Sequence, residues 1–168
     1  IITLLTSLNV SANTNNDSEH HIENTSQSNF HQQLLNNTNK INSNNKQLSE
    51  QDLARFAQQL GDARIVGLGE QTHGEGSVFS LKTQLVKYLH EKHDFDVFIL
   101  ESGMFDVQQI WLQALHGQKI KSLAPNNIFY MYSKTAEVMP LFDYINAQLV
   151  TDNPLILVGF DSQHSGGI

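Results

Sequence analysis

Three short apolar segments, separated by stretches with helical spacing, constrain the fold of this 168-residue chain most strongly. The apolar segments are residues 64–68, 97–100 and 155–158. Apolar side chains recur with helical periodicity in three longer stretches. Residues 77–90 lie between the first and second apolar segments, and residues 106–115 and 136–149 lie between the second and third. Because strands covered on both faces lack polar alternation, this order predicts a parallel sheet between helices. We therefore expect an α/β fold, with a parallel or mixed sheet and helices on both faces.

A further helix is predicted ahead of the first apolar segment. Ser49 is a suitable N-cap with Asp52 three residues later, a variant of the capping box. Apolar residues then recur with helical spacing as far as Gly61, a residue type that commonly ends a helix. The folded region is therefore expected to begin near Leu48.

The first 47 residues differ from the rest in composition. Residues 1–12 are mostly apolar and end in the small-residue pattern Val10-x-Ala12, which is typical of a signal-peptide end; a buried strand or a membrane-surface segment is the alternative. Residues 13–47 are rich in Asn, Ser and Gln and offer little apolar surface to bury, which predicts a disordered leader. Residues 48–168 form the predicted folded domain. We expect an exported protein, periplasmic or secreted, with no stable membrane anchor in the mature chain.

Charge and cysteine content exclude some classes of site. The formal net charge of −7 and a pI of about 5.5 argue against binding of nucleic acid, because proteins that bind phosphate backbones concentrate Lys and Arg. The chain has no cysteine, which excludes disulfides and cysteine-ligated metal sites.

Polar side chains follow each apolar segment. Glu70 and His73 follow the first, Glu101 the second, and Asp161 and Gln163 the third. The carboxyl ends of parallel strands meet at one edge of a sheet, where ligands bind in α/β proteins. We therefore expect these side chains to converge on a reactive site. Three strands would leave an apolar edge, so the chain is expected to be an incomplete fragment of a larger three-layer domain.

Several motifs resemble the erythromycin esterase family. Residues 67–74, Gly-Leu-Gly-Glu-Gln-Thr-His-Gly, are similar to its G-E-x-T-H-G signature. Lys82 lies in the helix after that signature, and the segments Phe-Ile-Leu-Glu-Ser-Gly at 98–103 and Gly-Phe-Asp-Ser-Gln at 159–163 follow in the family's order. The resemblance covers about residues 48–168. One departure is an aromatic segment with Tyr130 and Tyr132 where the family usually has Trp.

The resemblance implies hydrolysis of a small-molecule ester, such as a macrolactone of the macrolide antibiotics, without a cofactor or a metal. In that reading His73 is the general base that activates water, while Glu70 and Glu101 orient it and the proton network. Imidazole titrates near neutrality, and a carboxylate on its second nitrogen fixes the tautomer. Lys82 would pair with a carboxylate or stabilise an oxyanion. Supporting or substrate-binding positions are Thr72, Glu75, Asp161 and Gln163.

Other interpretations of these residues stay open. In one, Glu70, His73 and Glu101 ligate an ion or haem in a binding module of the related superfamily. In another, Glu101 is a structural acid paired with Lys82, and Asp161 holds the geometry of its loop. The remaining histidines of the folded domain are expected at the surface: His90, His93, His116 and His164.

Overall fold

The computed structural model describes residues 29–33, 35–36, 47–69, 74–164 and 166. Residues 29–33 and 35–36 are helical and exposed, and they belong to a unit separate from the one that holds the sheet. The leader predicted over residues 13–47 stays a prediction. The predicted signal-peptide remnant and the other residues of the leader before Gln47 lie outside the described residues.

The larger unit contains six helices and two strands among its described residues. The helices are α1 Glu50–Leu60, α2 Gly76–His93, α3 Met104–Leu115, α4 Ile120–Leu123, α5 Tyr130–Ser133 and α6 Met139–Gln148. The strands are β1 Val97–Gly103 and β2 Ile156–Asp161. The chain is thus an α/β fragment, as its sequence predicts.

Helix α1 begins and ends as the sequence predicts. The Ser49 hydroxyl accepts a hydrogen bond from the Asp52 backbone N–H at 3.1 Å and donates one to the Asp52 carboxylate at 2.6 Å. These bonds satisfy groups that the first helical turn leaves without a partner. Gly61 follows the helix with a φ of 52°, a conformation that costs glycine little because it has no Cβ.

The first predicted strand is not a strand in the structure. Residues 64–68 contain no strand or helix, and the Ile65 side chain is 87% exposed. Leu68 alone packs against the core from this segment. An apolar run becomes a strand only where a neighbouring strand supplies hydrogen bonds, and periodicity does not report that partner.

Strands β1 and β2 pair in parallel, which confirms the predicted strand direction. Their register runs from Val97 opposite Ile156 to Leu100 opposite Gly159. Helices α3 to α6 lie in the connection between the two strands, as a parallel crossover requires. Both strands therefore end at the same edge, beyond Gly103 and Asp161.

The two faces of the sheet differ. Leu100 and Leu157 lie on a covered face and belong to the core. That core also contains Val107 and Ile110 of α3 together with Phe142 of α6.

The opposite face is apolar and uncovered by the described residues. The side chains exposed there are Val97, Ile99, Ile156, Val158 and Phe160, with exposed fractions between 36% and 59%. The sequence predicts helices on both faces of the sheet. In the described part of the chain, helices cover one face. No helix in that part is long and apolar enough to cross a membrane.

Candidate functional site

A cavity of about 620 Å³ opens at the carboxyl ends of β1 and β2. This is the edge where parallel-sheet proteins bind ligands. Its lining combines two carboxylates, a lysine, an imidazole, two amides and an aromatic patch: Glu101, Asn126, Ile128, Phe129, Tyr130, Lys134, Asp161, Gln163 and His164. Three of the predicted site residues, Glu101, Asp161 and Gln163, thus meet at one cavity.

Glu101 lies in a β-bulge that follows the regular part of β1. Between the pairs Leu100–Gly159 and Gly103–Asp161, β1 advances three residues while β2 advances two. Gly159 makes this close approach possible, because a Cβ there would lie 2.7 Å from the Ser102 carbonyl oxygen and 2.8 Å from that of Gly103. Bulges commonly re-aim side chains beside active sites. Here Glu101 is exposed toward the cavity while Ser102 is buried.

Buried Ser102 fixes the aromatic segment above the sheet edge. Its hydroxyl accepts a hydrogen bond from the Phe129 backbone N–H at 3.0 Å. Phe129 immediately precedes α5, so this bond sets where Tyr130 and Tyr132 lie relative to the end of β1. The Phe129 ring packs against both tyrosine rings, with centroids 4.9 Å from Tyr130 and 6.0 Å from Tyr132.

The Tyr132 hydroxyl orients Glu101. It donates a hydrogen bond to Glu101 Oε2 at 3.2 Å, although the two residues are 31 positions apart. The Tyr132 ring is buried and meets the Phe79 ring edge-on, with centroids 5.7 Å apart. A rigid phenol therefore holds one oxygen of an exposed carboxylate. The Tyr132 hydroxyl is thus a partner of Glu101 that the sequence did not predict.

Asp161 shapes the loop after β2. Its Oδ1 accepts a hydrogen bond from the Gln163 backbone N–H at 3.3 Å, a local turn that an aspartate side chain favours. This agrees with the interpretation in which Asp161 holds its loop. The same turn brings Gln163 and His164 to the cavity.

A buried carboxylate lies behind His164. Asp106, in the first turn of α3, is fully buried, and its Oδ2 accepts a hydrogen bond from the Gly166 backbone N–H at 3.2 Å. His164 Nδ1 lies 3.6 Å from Asp106 Oδ1. The Phe105 ring meets the imidazole edge-on, with centroids 5.6 Å apart. His164 thus stands between a buried carboxylate and the cavity.

Other predicted site residues lie elsewhere or outside the described part. Glu70, Thr72 and His73 lie outside the described residues, so the roles predicted for them stay predictions. Two described residues, Lys82 and Glu75, do not line the cavity. The Lys82 ammonium lies 5.3 Å from the Phe79 ring centroid. Glu75 is the N-cap residue of α2, and its carboxylate accepts a hydrogen bond from the Ser77 hydroxyl at 2.8 Å.

The predicted surface histidines have two outcomes. His93, His116 and His164 are exposed, as expected. His90 is 2% exposed, so its predicted surface position is wrong. Its Nδ1 hydrogen bonds with the Tyr144 hydroxyl at 2.7 Å, which lets an imidazole occupy the apolar contact between α2 and α6. The partner lies 54 residues away, which is why the local sequence did not predict the burial.

Sequence reasoning missed several contributors to this edge, among them Asp106, Tyr132, Lys134 and His164. The adjacent aromatic residues at 129–132 are a local signal that could have directed attention to Tyr132. Asp106 and His164 meet through a contact between residues 58 positions apart, and no motif marks either of them or Lys134. Within the described ranges, no group of three or more His, Asp or Glu side chains is arranged to hold a metal ion. The metal-binding alternative uses Glu70 and His73, which lie outside those ranges, and stays a prediction.

Comparison with known proteins gives one similarity that bears on function. The chain is 40% identical over 115 residues to a protein of Bacillus subtilis (strain 168) named "Putative hydrolase YbfO". The matched region is 68% of this chain and 25% of that protein, so the chain spans about a quarter of the relative's length. No family model matches the chain, and no solved structure matches it.

Proposed function

We propose that the protein is a hydrolase of ester bonds that uses His73 to activate water. The observation that carries the proposal is the cavity at the sheet edge, where the carboxylate of Glu101 is held by Tyr132. The similarity to a protein named as a hydrolase supports the reaction class. The resemblance of residues 67–74 to the erythromycin esterase signature supports the ester specificity and the base.

In the proposed reaction, His73 removes a proton from water as the water oxygen attacks the ester carbonyl carbon. The tetrahedral intermediate then collapses, the bond from carbon to the alcohol oxygen breaks, and an acid and an alcohol are released. Glu101 and Glu70 orient the imidazole and favour its protonated form through their negative charge. General-base assistance of this kind contributes about 10²–10⁴ in rate.

The proposed substrate is a small molecule, either a macrolactone or a related ester. The cavity volume of about 620 Å³ lies within the range of about 300–1,000 Å³ that is usual for small-molecule sites. Its aromatic patch, Phe129 and Tyr130, would contact apolar parts of the substrate, while Lys134 and Gln163 offer hydrogen-bond donors.

Substitution of the base tests the proposal. In the complete protein, we expect His73→Ala to lower kcat/KM on a cleavable ester by about 10²–10⁴. His93→Ala is the matched control, because His93 is an exposed histidine at the end of α2, and it should keep wild-type activity. Wild-type turnover in His73→Ala would show that the base is assigned incorrectly. A panel of simple esters and macrolactones would identify the substrate class.

Two further parts of the proposal have their own measurements. Catalysis is proposed to need no metal, so activity should survive exhaustive chelation; loss with chelator and return with a stoichiometric metal would favour the metal-binding alternative instead.

Export is proposed from residues 1–12, and mass spectrometry of secreted protein should give a mature chain that starts at Asn13. A secreted chain that keeps those residues would contradict the cleavage.

A further inference from the structure

His164 has the surroundings of a group that transfers protons, and the proposed reaction gives it no role. Its imidazole is 70% exposed at the side chain and lines the cavity, while Asp106 behind it is fully buried. A buried carboxylate is costly unless it has polar or charged partners. On the loop after β2, the Gly166 backbone N–H donates a hydrogen bond to Asp106 Oδ2, and the His164 imidazole lies 3.6 Å from Asp106 Oδ1. A carboxylate behind an imidazole, with the cavity in front, is the arrangement that orients a catalytic histidine.

We infer that His164 is a general acid that protonates the departing alcohol oxygen, and that Asp106 positions it. The inference rests on the proposed function and adds the proton donor that this reaction needs. An alkoxide is a poor leaving group, whereas an alcohol leaves readily. The base takes a proton from water, and His164, which lines the cavity, is a second group that can supply the proton of the alcohol.

The proton balance of this step closes within the chain and solvent. When the tetrahedral intermediate collapses, the electron pair of the broken carbon–oxygen bond stays on the alcohol oxygen. That oxygen takes the proton from Nε2 of the His164 imidazolium, which becomes neutral. His73 holds the proton that it took from water, and exchange with solvent returns both histidines to their starting forms.

The geometry favours the acid role over an incidental surface position. Nδ1 of His164 faces Asp106, and the Phe105 ring packs edge-on against the imidazole, so the ring has contacts on two sides. With Nδ1 toward Asp106, Nε2 is the ring nitrogen left to donate a proton. The other titratable groups around the cavity are Glu101, Tyr130, Lys134 and Asp161.

Two esters of butyric acid distinguish a general-acid role of His164 from a structural one. Ethyl butyrate releases an alkoxide that needs a proton, whereas p-nitrophenyl butyrate releases a phenolate that is stable without one. In the complete protein, we expect His164→Gln to lower kcat/KM on the ethyl ester by about 10²-fold or more. On the nitrophenyl ester, the same variant should lose less than about threefold, because no proton is needed there.

Three further variants complete the experiment. Asp106→Asn should show the same selectivity for the ethyl ester with a smaller loss, because it removes the charge and keeps the side-chain shape. His116→Gln alters an exposed histidine at the end of α3 and should change neither rate. His73→Ala should lower both rates, since both esters need the attacking water. The alkaline decline of the ethyl ester rate should also disappear in His164→Gln, a change that a purely structural role would not produce.

Specific outcomes overturn the inference. Equal losses on the two esters in His164→Gln, or no loss on either, would exclude the general-acid role while leaving hydrolysis and His73 intact. Failure of the wild-type protein to cleave any ester would instead remove the proposed function, and the acid role with it. Selective loss on the ethyl ester, with His116→Gln unchanged, supports the inference.

Discussion

The core between α2 and α6 and the cavity at the sheet edge each contain a tyrosine hydroxyl paired with a titratable side chain. In the core, Tyr144 hydrogen bonds with His90 at 2.7 Å, and His90 is 2% exposed. At the cavity, Tyr132 donates to Glu101 at 3.2 Å, and Glu101 is exposed. The chemical groups are similar, but solvent reaches the carboxylate of Glu101 and does not reach the imidazole of His90.

This difference separates stability from reactivity. No described residue forms a hydrogen bond with His90 Nε2, so the core pair depends on Tyr144 for its polar contact. Loss of a buried hydrogen bond removes stability, because the remaining partner stays out of water. Loss of the hydrogen bond between Tyr132 and Glu101 leaves the Glu101 carboxylate in contact with water. This loss should therefore lower the rate of the proposed reaction more than it lowers the stability of the fold.

Truncation of the core should give the largest change. Phe142 is fully buried on α6, and Phe142→Ala should lower the free energy of unfolding by about 3–5 kcal/mol through lost contacts and a cavity. Urea denaturation followed by circular dichroism measures this. Val150→Ala, at a side chain that is 90% exposed, is the control and should change stability by less than about 0.5 kcal/mol. Equal losses in the two variants would contradict the described core.

Gly159→Ala should lower both the stability of the protein and the activity at the cavity. The added Cβ would meet the carbonyl oxygens of Ser102 and Gly103, so the bulge must move; we expect a loss of about 2–3 kcal/mol in stability. Because Glu101 lies in that bulge, ester hydrolysis should fall as well. Gly117→Ala is the control: its Cβ would meet nothing, and its φ of 92° alone should cost about 1–2 kcal/mol without changing activity. Full activity in Gly159→Ala would show that activity at the site does not depend on the bulge.

Tyr144→Phe should weaken the core without changing the chemistry. It removes the hydrogen bond of buried His90, which we expect to cost about 1–2 kcal/mol. Tyr88→Phe is the matched control on α2 and should change stability by less than about 0.5 kcal/mol. Ester hydrolysis should be unchanged in both variants. Reduced turnover in folded Tyr144→Phe would break the proposed separation of the two regions.

The same tyrosine predicts how stability depends on alkaline pH. Burial raises the pKa of Tyr144 above its ordinary value of 10, and the charge and hydrogen bonding of Glu91 raise it further. Above about pH 10 the unfolded chain releases this proton while the folded chain keeps it, so stability should fall as pH rises. Below pH 10 the contribution is fully present. The decline should be shallower in Tyr144→Phe, as measured by urea denaturation between pH 9 and pH 11; identical slopes would refute it.

Tyr132→Phe should have the smallest effect on stability and a visible one on activity. It keeps the buried ring and removes the hydroxyl that holds Glu101, so stability should change by less than about 1 kcal/mol. Turnover on an ester should fall by about three- to tenfold, the equivalent of one hydrogen bond. A loss of stability above that of Tyr144→Phe, with unchanged turnover, would reverse the comparison.

Local signals predicted much of the fold and part of the site. The cap at Ser49, the helical periodicities and the direction of β1 and β2 are confirmed, as is the convergence of Glu101 with Asp161. Residues 64–68 resembled a strand because their composition matched one. A strand also needs a hydrogen-bonded neighbour, and no local pattern contains that information.

The amino-acid sequence by itself determined the helices around β1 and β2 and the polar ends of these two strands, because each depends on neighbouring residues. The tertiary structure alone decided which groups meet. It buried His90 against Tyr144, gave Glu101 the Tyr132 hydroxyl and placed Asp106 behind His164. These contacts join residues 31 to 58 positions apart, so they follow from chain packing and from the close approach at Gly159.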